Sequence, residues 1–285
     1  MWLAPASPPA HHGAVTTYSA VRTTGIYCRP GCPATPKPEN VHTFTLAAAA
    51  EAAGYRACLR CRPYRVAGTV EAGAPDLVCR AVRLIVAGAL DGANEDAVAD
   101  RLGVSARHLR RLFHDHLGVT PDRFARTHRA HFARRLLDDS DLSITDIAFA
   151  AGYGSLRQFN RAMRDVFRAA PRDLRARRRK ADPLPAEAGL ALRLPVTPGY
   201  SWPDTLVALR GRVTAGVDSV EGGTYRRSIV FDGQTGAVRV GAGGDDHLLV
   251  WVDLPQWHGI IHLVARVARL VGADGAGGPG EWDLR

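Results

Sequence analysis

Four of the five cysteines in this chain stand as two close pairs, Cys28-x3-Cys32 and Cys58-x2-Cys61. A tetrahedral Zn2+ site needs this spacing: each pair supplies one edge of the tetrahedron, and the segment between folds back to close it. The pattern therefore commits the first part of the chain to a small fold built around a cation. Its flanks are basic, with Arg29 beside one pair and Arg56, Arg60 and Arg62 around the other. Disulfides are the competing reading. The first residues carry neither a basic n-region nor an apolar h-region, and only Cys79 is left over, which favours a reducing compartment and Zn2+ as cofactor. No apolar stretch approaches the length of a membrane span, so the expected location is cytoplasmic, with no membrane partner. The zinc either holds the fold alone or also activates one of its thiolates.

At 285 residues the chain has room for two or three domains. Charge is unevenly spread. Residues 1–75 hold 7 Lys and Arg against 3 Asp and Glu, residues 76–180 hold 21 against 13, and residues 181–285 hold 9 against 12. Positive charge in the first two thirds suggests a polyanion partner, most simply nucleic acid.

Residues 76–180 are helical by pattern and contain a duplication. Val98-Ala99-Asp100-Arg101-Leu102-Gly103-Val104-Ser105 is matched by Ile147-Ala148-Phe149-Ala150-Ala151-Gly152-Tyr153-Gly154-Ser155. Gly103 and Gly152 suit the left-handed residue that ends a helix, and Ser105 and Ser155 suit the N-cap of the next. Pro121 and Pro171 follow each second helix, fifty residues apart. Helix, glycine turn, capped helix is the helix-turn-helix unit, here present twice. Each second helix has an apolar side, Leu109, Leu112 and Phe113 in one and Phe159, Met163 and Phe167 in the other. The opposite sides offer Arg107, His108, Arg110 and Arg111, and Arg157, Gln158, Asn160 and Arg161, which suit phosphate contacts and base edges in a major groove. Solvated faces of an ordinary bundle are the alternative. A helix over residues 121 to 137 would join the units and set their separation on double-stranded DNA, so that a monomer reads adjacent grooves.

This segment resembles the DNA-binding domain of AraC/XylS regulators, on Asp146-Ile147-Ala148-Phe149-Ala150-Ala151-Gly152-Tyr153 and Phe159-Asn160-Arg161. The aromatic that usually closes that domain is replaced in Pro171-Arg172-Asp173-Leu174. The basic run over residues 175–180 reads as a solvated helix end.

Residues 21–63 resemble the N-terminal domain of Ada-type proteins of the adaptive response to alkylation damage. The matching stretches are Val21-Arg22-Thr23-Thr24-Gly25-Ile26-Tyr27-Cys28-Arg29-Pro30, Glu39-Asn40-Val41, and Ala52-Ala53-Gly54-Tyr55-Arg56-Ala57-Cys58-Leu59-Arg60-Cys61. The resemblance implies that Cys28, Cys32, Cys58 and Cys61 bind the metal and that Cys28 accepts a methyl group from DNA methylphosphotriesters. It also implies DNA contacts at Thr24 and Arg56. The chemistry stands independently: zinc keeps thiols deprotonated at neutral pH, and an uncharged phosphotriester approaches an anionic sulfur centre that repels an ordinary phosphodiester. Methylation would make the centre less negative and so favour DNA binding. Two basic positions of the pattern are Pro33 and Thr35 here, with Lys37 nearby, and the Pro- and His-rich residues 5–13 depart from the family's first helix. Cys79, near Val82, Val86 and Leu90 on an apolar helix face, reads as core, not as a second acceptor.

The last third shifts toward strands after an Ala/Pro-rich linker over residues 181–189. Strands are expected over 190–195, 224–230, 237–240 and 248–252, and helices over 202–213 and 256–270. This segment is similar to the N-terminal domain of AlkA-type 3-methyladenine DNA glycosylases, on Leu192-Arg193-Leu194-Pro195, Pro198-Gly199-Tyr200-Ser201-Trp202 and Gly222-Gly223-Thr224-Tyr225-Arg226-Arg227. In that family the catalytic Asp lies in a later domain, so no glycosylase activity is expected of these residues.

The combined expectation is an α+β multidomain protein: a zinc-bound α/β methyl-acceptor domain over 1–68, an all-α double helix-turn-helix domain over 76–180, a TBP-like α+β domain over 190–275 and a flexible tail over 276–285. Its expected function is that of a transcriptional regulator, working with RNA polymerase, that accepts a methyl group once and irreversibly on Cys28. The alternatives are a regulator with purely structural zinc, or a non-catalytic remnant of a regulator–glycosylase fusion.

Overall fold

A computed structural model describes residues 17–67, 74–186, 189–274 and Gly280. The expectations for residues 5–13 and for most of the tail lie outside the described residues. The described residues open with β1 (Tyr18–Val21) and β2 (Ile26–Cys28), an antiparallel hairpin, followed by β3 (Val41–Phe44), α1 (Ala47–Ala52) and β4 (Arg56–Ala57). These strands form one mixed sheet in the order β3-β1-β2-β4, with β4 parallel to β2. Alternation along β1 buries Tyr18 and Ala20, the period-2 signature of a strand with one covered face.

The helical region comprises α2 (Asp76–Val86), α3 (Glu95–Leu102), α4 (Ala106–Leu117), α5 (Pro121–Asp139), α6 (Ile144–Ala150), α7 (Leu156–Phe167) and α8 (Pro171–Ala176). The expected caps are in place. Gly103 takes a left-handed φ of 69° after α3, Ser105 Oγ accepts the His108 N–H at 3.2 Å, and Ser155 Oγ accepts the Gln158 N–H at 3.2 Å. The joining helix, α5, starts at Pro121 under a Thr120 cap and runs to Asp139, two residues beyond the expected end. No helix among the described residues is long and apolar enough to cross a membrane.

The last region contains β5 (Leu190–Pro195), α9 (Trp202–Arg210), β6 (Asp218–Glu221), β7 (Thr224–Phe231), β8 (Gln234–Gly244), β9 (His247–Asp253) and α10 (Ile260–Leu270). Its five strands form an antiparallel sheet in the order β5-β9-β8-β7-β6. The edge strand β6 was not anticipated: Asp-Ser-Val-Glu is short and polar, and its pairing with β7 comes from the tertiary fold. Trp202 Nε1 donates to the Gly223 carbonyl at 3.0 Å and anchors α9 on the β6–β7 turn. The protein is thus α+β and multidomain, with a mixed-sheet domain, a helical domain and an antiparallel-sheet domain.

The three domains pack on each other. One apolar cluster runs from Tyr18, Tyr27 and Tyr64 through α5–α8 to β5, β9 and α10. A second lies among α2, α3 and α4. Segments expected to be solvated take part in the contacts. Asp182, in the expected linker, is buried against Arg62; Arg178 and Arg179, from the expected free helix end, donate to Asp141 and to the Arg60 carbonyl. Cys79 is half-buried and faces an apolar cavity of about 320 Å³ rather than filling core.

Candidate metal centre and nucleic-acid interface

The parallel pairing of β2 with β4 brings the two cysteine pairs together. Ile26 opposes Arg56 and Tyr27 opposes Ala57, and the Cys58 N–H bonds to the Tyr27 carbonyl at 2.9 Å. Cys28 and Cys58 therefore leave adjacent strand ends. A tight turn after each returns the second cysteine of its pair. In the first, the Cys32 N–H reaches the Arg29 carbonyl at 3.3 Å, and Gly31 supplies the left-handed φ of 74°. In the second, the Arg62 N–H reaches the Cys58 carbonyl at 3.0 Å.

All four Sγ atoms lie within 4.8 Å of one another, and none is in a disulfide. Zinc–sulfur bonds of about 2.3 Å place tetrahedral sulfurs about 3.8 Å apart, so a small contraction closes the shell. The electrostatics also call for a cation. Burial, then the neighbouring Cys32, Cys61 and Cys58 sulfurs, push the Cys28 thiol well above the usual thiol range. Cys61 rises to about 12, mainly through burial, although its sulfur accepts a hydrogen bond from the Arg29 backbone. Cys58 is lowered: burial opposes its ionisation, but N–H donors of Cys61 and Arg60 outweigh that. Four thiolates cannot share this space without a positive charge among them, and the donor set fits a thiophilic divalent metal. Cys28 is buried, at 7% exposure.

Thr24 is exposed in the β1–β2 turn, and Arg56 is half-buried at the start of β4, where its N–H bonds to the Gly25 carbonyl at 2.8 Å. Both sit near the end of β2 opposite the sulfurs. Pro33, Thr35 and Lys37 are exposed in the loop after Cys32. Arg29, next to Cys28, faces Asp246 of the β8–β9 turn at 3.8 Å.

On α4, Arg107 and Arg111 are exposed, and His108 Nδ1 meets Arg111 at 3.0 Å. Arg110 differs from its neighbours: it is ion-paired to Glu95 of α3, whose other carboxylate oxygen accepts the Asp122 N–H at 3.3 Å. On α7, Arg157, Gln158 and Arg161 are exposed, while Asn160 Nδ2 donates to the Leu156 carbonyl at 2.8 Å.

Sequence reasoning missed the polar junction where the domains meet. Arg62 and Arg65, Asp138 and Asp139 of α5, Asp182 and Arg193 of β5 form one buried ionic network. Tyr64 also donates to Asp138 at 3.0 Å. The only sequence signal was charge at sites flanked by apolar residues, Leu136-Leu137-Asp138-Asp139 and Leu192-Arg193-Leu194.

A four-cysteine metal domain beside a duplicated helix-turn-helix defines a DNA-binding regulator with a metal-dependent module. Comparison with known families specifies the modules. Residues 11–64 match the metal binding domain of Ada, residues 98–177 a helix-turn-helix domain, and residues 191–276 the AlkA N-terminal domain. The chain thus joins an Ada-type metal-binding domain, an AraC-type helix-turn-helix domain and an AlkA N-terminal domain. It is 37% identical over 259 residues to a probable bifunctional transcriptional activator/DNA repair enzyme AlkA of Mycobacterium tuberculosis, covering 90% of this chain and 52% of that protein. It is 36% identical over 135 residues to the bifunctional transcriptional activator/DNA repair enzyme Ada of Escherichia coli, covering 47% of this chain and 37% of Ada. The chain spans about half the length of the mycobacterial relative it matches. Among solved structures, an AraC-type regulator from Chromobacterium violaceum aligns with 34% identity and a TM-score of 0.35, over 39% of this chain and 99% of that one. A methylated N-ADA/DNA complex aligns with 36% identity and a TM-score of 0.18, over 40% of this chain and 85% of that one.

Proposed function

We propose that this protein is a regulator of the response to DNA alkylation that accepts a methyl group from DNA methylphosphotriesters onto Cys28. The observation that carries the reading is the cluster of four sulfurs at the paired ends of β2 and β4, within a chain that also holds a double helix-turn-helix. Cys28, Cys32, Cys58 and Cys61 would hold Zn2+, which when bound keeps all four sulfurs deprotonated at neutral pH. The Cys28 sulfur attacks the methyl carbon and a C–S bond forms. The C–O bond breaks, its electron pair stays on the phosphate oxygen, and a phosphodiester anion is restored. The thioether has no leaving group to reverse the step, so each molecule acts once.

Thr24 and Arg56, at the far end of the same strands, would hold the damaged backbone. The exposed Arg107, Arg111, Arg157, Gln158 and Arg161 supply groove and phosphate contacts, with His108 and Asn160 at the edges of those faces. The 19 residues of α5 span about 28 Å, and the two units at its ends would have to add the remainder of the about 34–36 Å between successive major grooves. The names of the relatives, which couple transcriptional activation with DNA repair, agree with this reading.

The burial of Cys28 favours a second reading, in which the metal only holds the fold. One experiment separates the two. Zinc-loaded full-length protein is incubated with duplex DNA carrying labelled methylphosphotriesters, and the label is mapped by peptide mass spectrometry. Label on Cys28, absent in Cys28→Ala, supports methyl acceptance. A folded, metal-bound sample that takes up no label leaves the structural reading standing.

A further inference from the structure

Beside the metal centre, where the three domains meet, lies a half-open cavity of about 260 Å³ with Cys61 in its wall. Seven arginines line it: Arg29, Arg60, Arg62 and Arg65 from the first domain, Arg135 and Arg179 from the helical domain, and Arg193 from β5. They face two carboxylates, Asp182 and Asp246. Two further carboxylates, Asp138 and Asp139, lie behind the wall and are already shared among Arg62, Arg65, Arg134 and Arg193. The lining arginines therefore exceed the carboxylates available to them, and the Cys61 sulfur is the only other negative group in the described wall once a metal keeps it deprotonated.

Arg135 shows the imbalance most clearly. Its guanidinium has no hydrogen bond or ion pair with any described residue, and its Nε is buried without a partner. Its guanidinium carbon lies over the Phe132 ring, 5.5 Å from the centroid. Burial lowers its pKa to about 10, with Asp139 opposing the shift and Arg65 adding to it, so it stays charged at neutral pH. A lysine in this place could discard its proton; an arginine cannot, and Arg135, half-buried between this cavity and the larger apolar one, keeps its charge with Asp139 acting only at a distance. Arg60 and Arg179 likewise have no carboxylate within ion-pair distance among the described residues. The missing component is an anion, and planar guanidinium forks converging from several directions suit the oxygens of a phosphate.

We propose that this three-domain cavity is a phosphate-binding site, with Arg135 at its inner wall and Arg60 at its exposed rim. The phosphate is either a free ion or a phosphodiester of DNA lying against the metal domain. Because the site needs β5 and α5 as well as the cysteine domain, it forms only when the three are docked.

The test uses zinc-loaded full-length protein, so that the sulfur centre contributes its own charge throughout. Thermal unfolding is followed in inorganic phosphate and in chloride at equal ionic strength, and duplex DNA binding is measured without phosphate. If a free ion is the occupant, phosphate at millimolar concentration raises Tm and chloride does not. Arg135→Gln then abolishes that rise, while its Tm in chloride stays level or increases because an unpaired charge has gone. If the occupant is a phosphodiester, inorganic phosphate leaves Tm unchanged. Arg135→Gln then weakens binding to duplexes of any sequence, and the salt dependence of log K falls by about one. Arg60→Gln, at an exposed position, is expected to weaken whichever response is seen several-fold and keeps the test open should Arg135→Gln not fold. The proposal is overturned if phosphate and DNA both act equally on wild type and variants, which would leave the arginines as counter-charges to the sulfur centre.

Discussion

Arg62 and Asp182, 120 residues apart in sequence, meet in a two-point ion pair, with Nη1 to Oδ1 at 2.6 Å and Nη2 to Oδ2 at 2.7 Å. Their side chains are 7% and 8% exposed. Arg62 directly follows the metal-binding Cys61, and Asp182 lies between the helical and antiparallel-sheet domains, so this pair ties the cysteine domain to the rest of the protein. Asp182→Asn leaves Arg62 buried without its full counter-charge and should cost about 3–5 kcal/mol. Burial would raise the Asp182 carboxyl, but the Arg62 hydrogen bonds and the Arg179 N–H hold it below the ordinary aspartate value. The pair's contribution is therefore present above about pH 4, the unfolded value, and is lost as pH falls through the folded one. Denaturant titrations of wild type and variant, at neutral and acid pH, check both points.

His128 titrates with the opposite effect on its own charge. Burial, followed by Arg135, His131, His262 and Arg129 around it, lowers its pKa to about 3. The unfolded chain binds a proton there from about pH 6.5 downward while the folded chain does not. Stability should fall by up to about 1.4 kcal/mol per pH unit from about 6.5 toward 3, and be flat in this term above 6.5. His128→Gln should reduce that slope, as measured by urea unfolding between pH 5 and 7.5.

Removing the metal should release the cysteine domain. With zinc bound, a chromogenic disulfide reagent is expected to react only with the half-buried Cys79. After chelation four more thiols per chain should react, and the near-ultraviolet signal of Tyr18 and Tyr27 should collapse. Five reactive thiols before chelation would mean that the cluster binds no metal tightly.

The helix caps carry a smaller, separable effect. Ser155→Ala removes the acceptor for the Gln158 N–H and should cost about 1 kcal/mol, and Ser105→Ala about the same. Both should also weaken DNA binding if α7 and α4 enter the grooves, because each cap sets the end from which Arg157 and Arg107 project. Calorimetry and fluorescence anisotropy on the same samples read the two effects.

Arg110 and Arg157 both belong to the polar faces of their helices and should behave differently. Arg157→Ala removes an exposed side chain, so stability should hardly change, while DNA affinity falls by about 1–3 kcal/mol if it reads a base. Arg110→Ala leaves Glu95, with a side chain only 10% exposed, without its ion pair and should cost about 1–3 kcal/mol of folding stability. Equal loss of stability in both variants would contradict this division.

The metal cluster, the duplicated helical units and the strands β5, β7 and β9 were legible in the sequence. Their signals are local: cysteine spacing, a glycine and a capping serine a few residues apart, a short apolar run in β5 and alternation in β9. The polar edge strand β6, the extension of β8 to 11 residues and the pairing of Arg110 with Glu95 were not. Each depends on a neighbour supplied by another element.

The same division holds for the protein as a whole. By itself the sequence determined which four sulfurs converge and which helix faces stay polar, because those properties repeat within one strand or one helical turn. Only the tertiary structure decided that the domains dock, that Asp182 is buried rather than part of a free linker, and that seven arginines surround one cavity beside Cys61. Charges separated by more than a hundred residues leave no periodic mark on the chain. Their partners exist only once apolar burial along α5, β5 and α10 has brought the domains into contact.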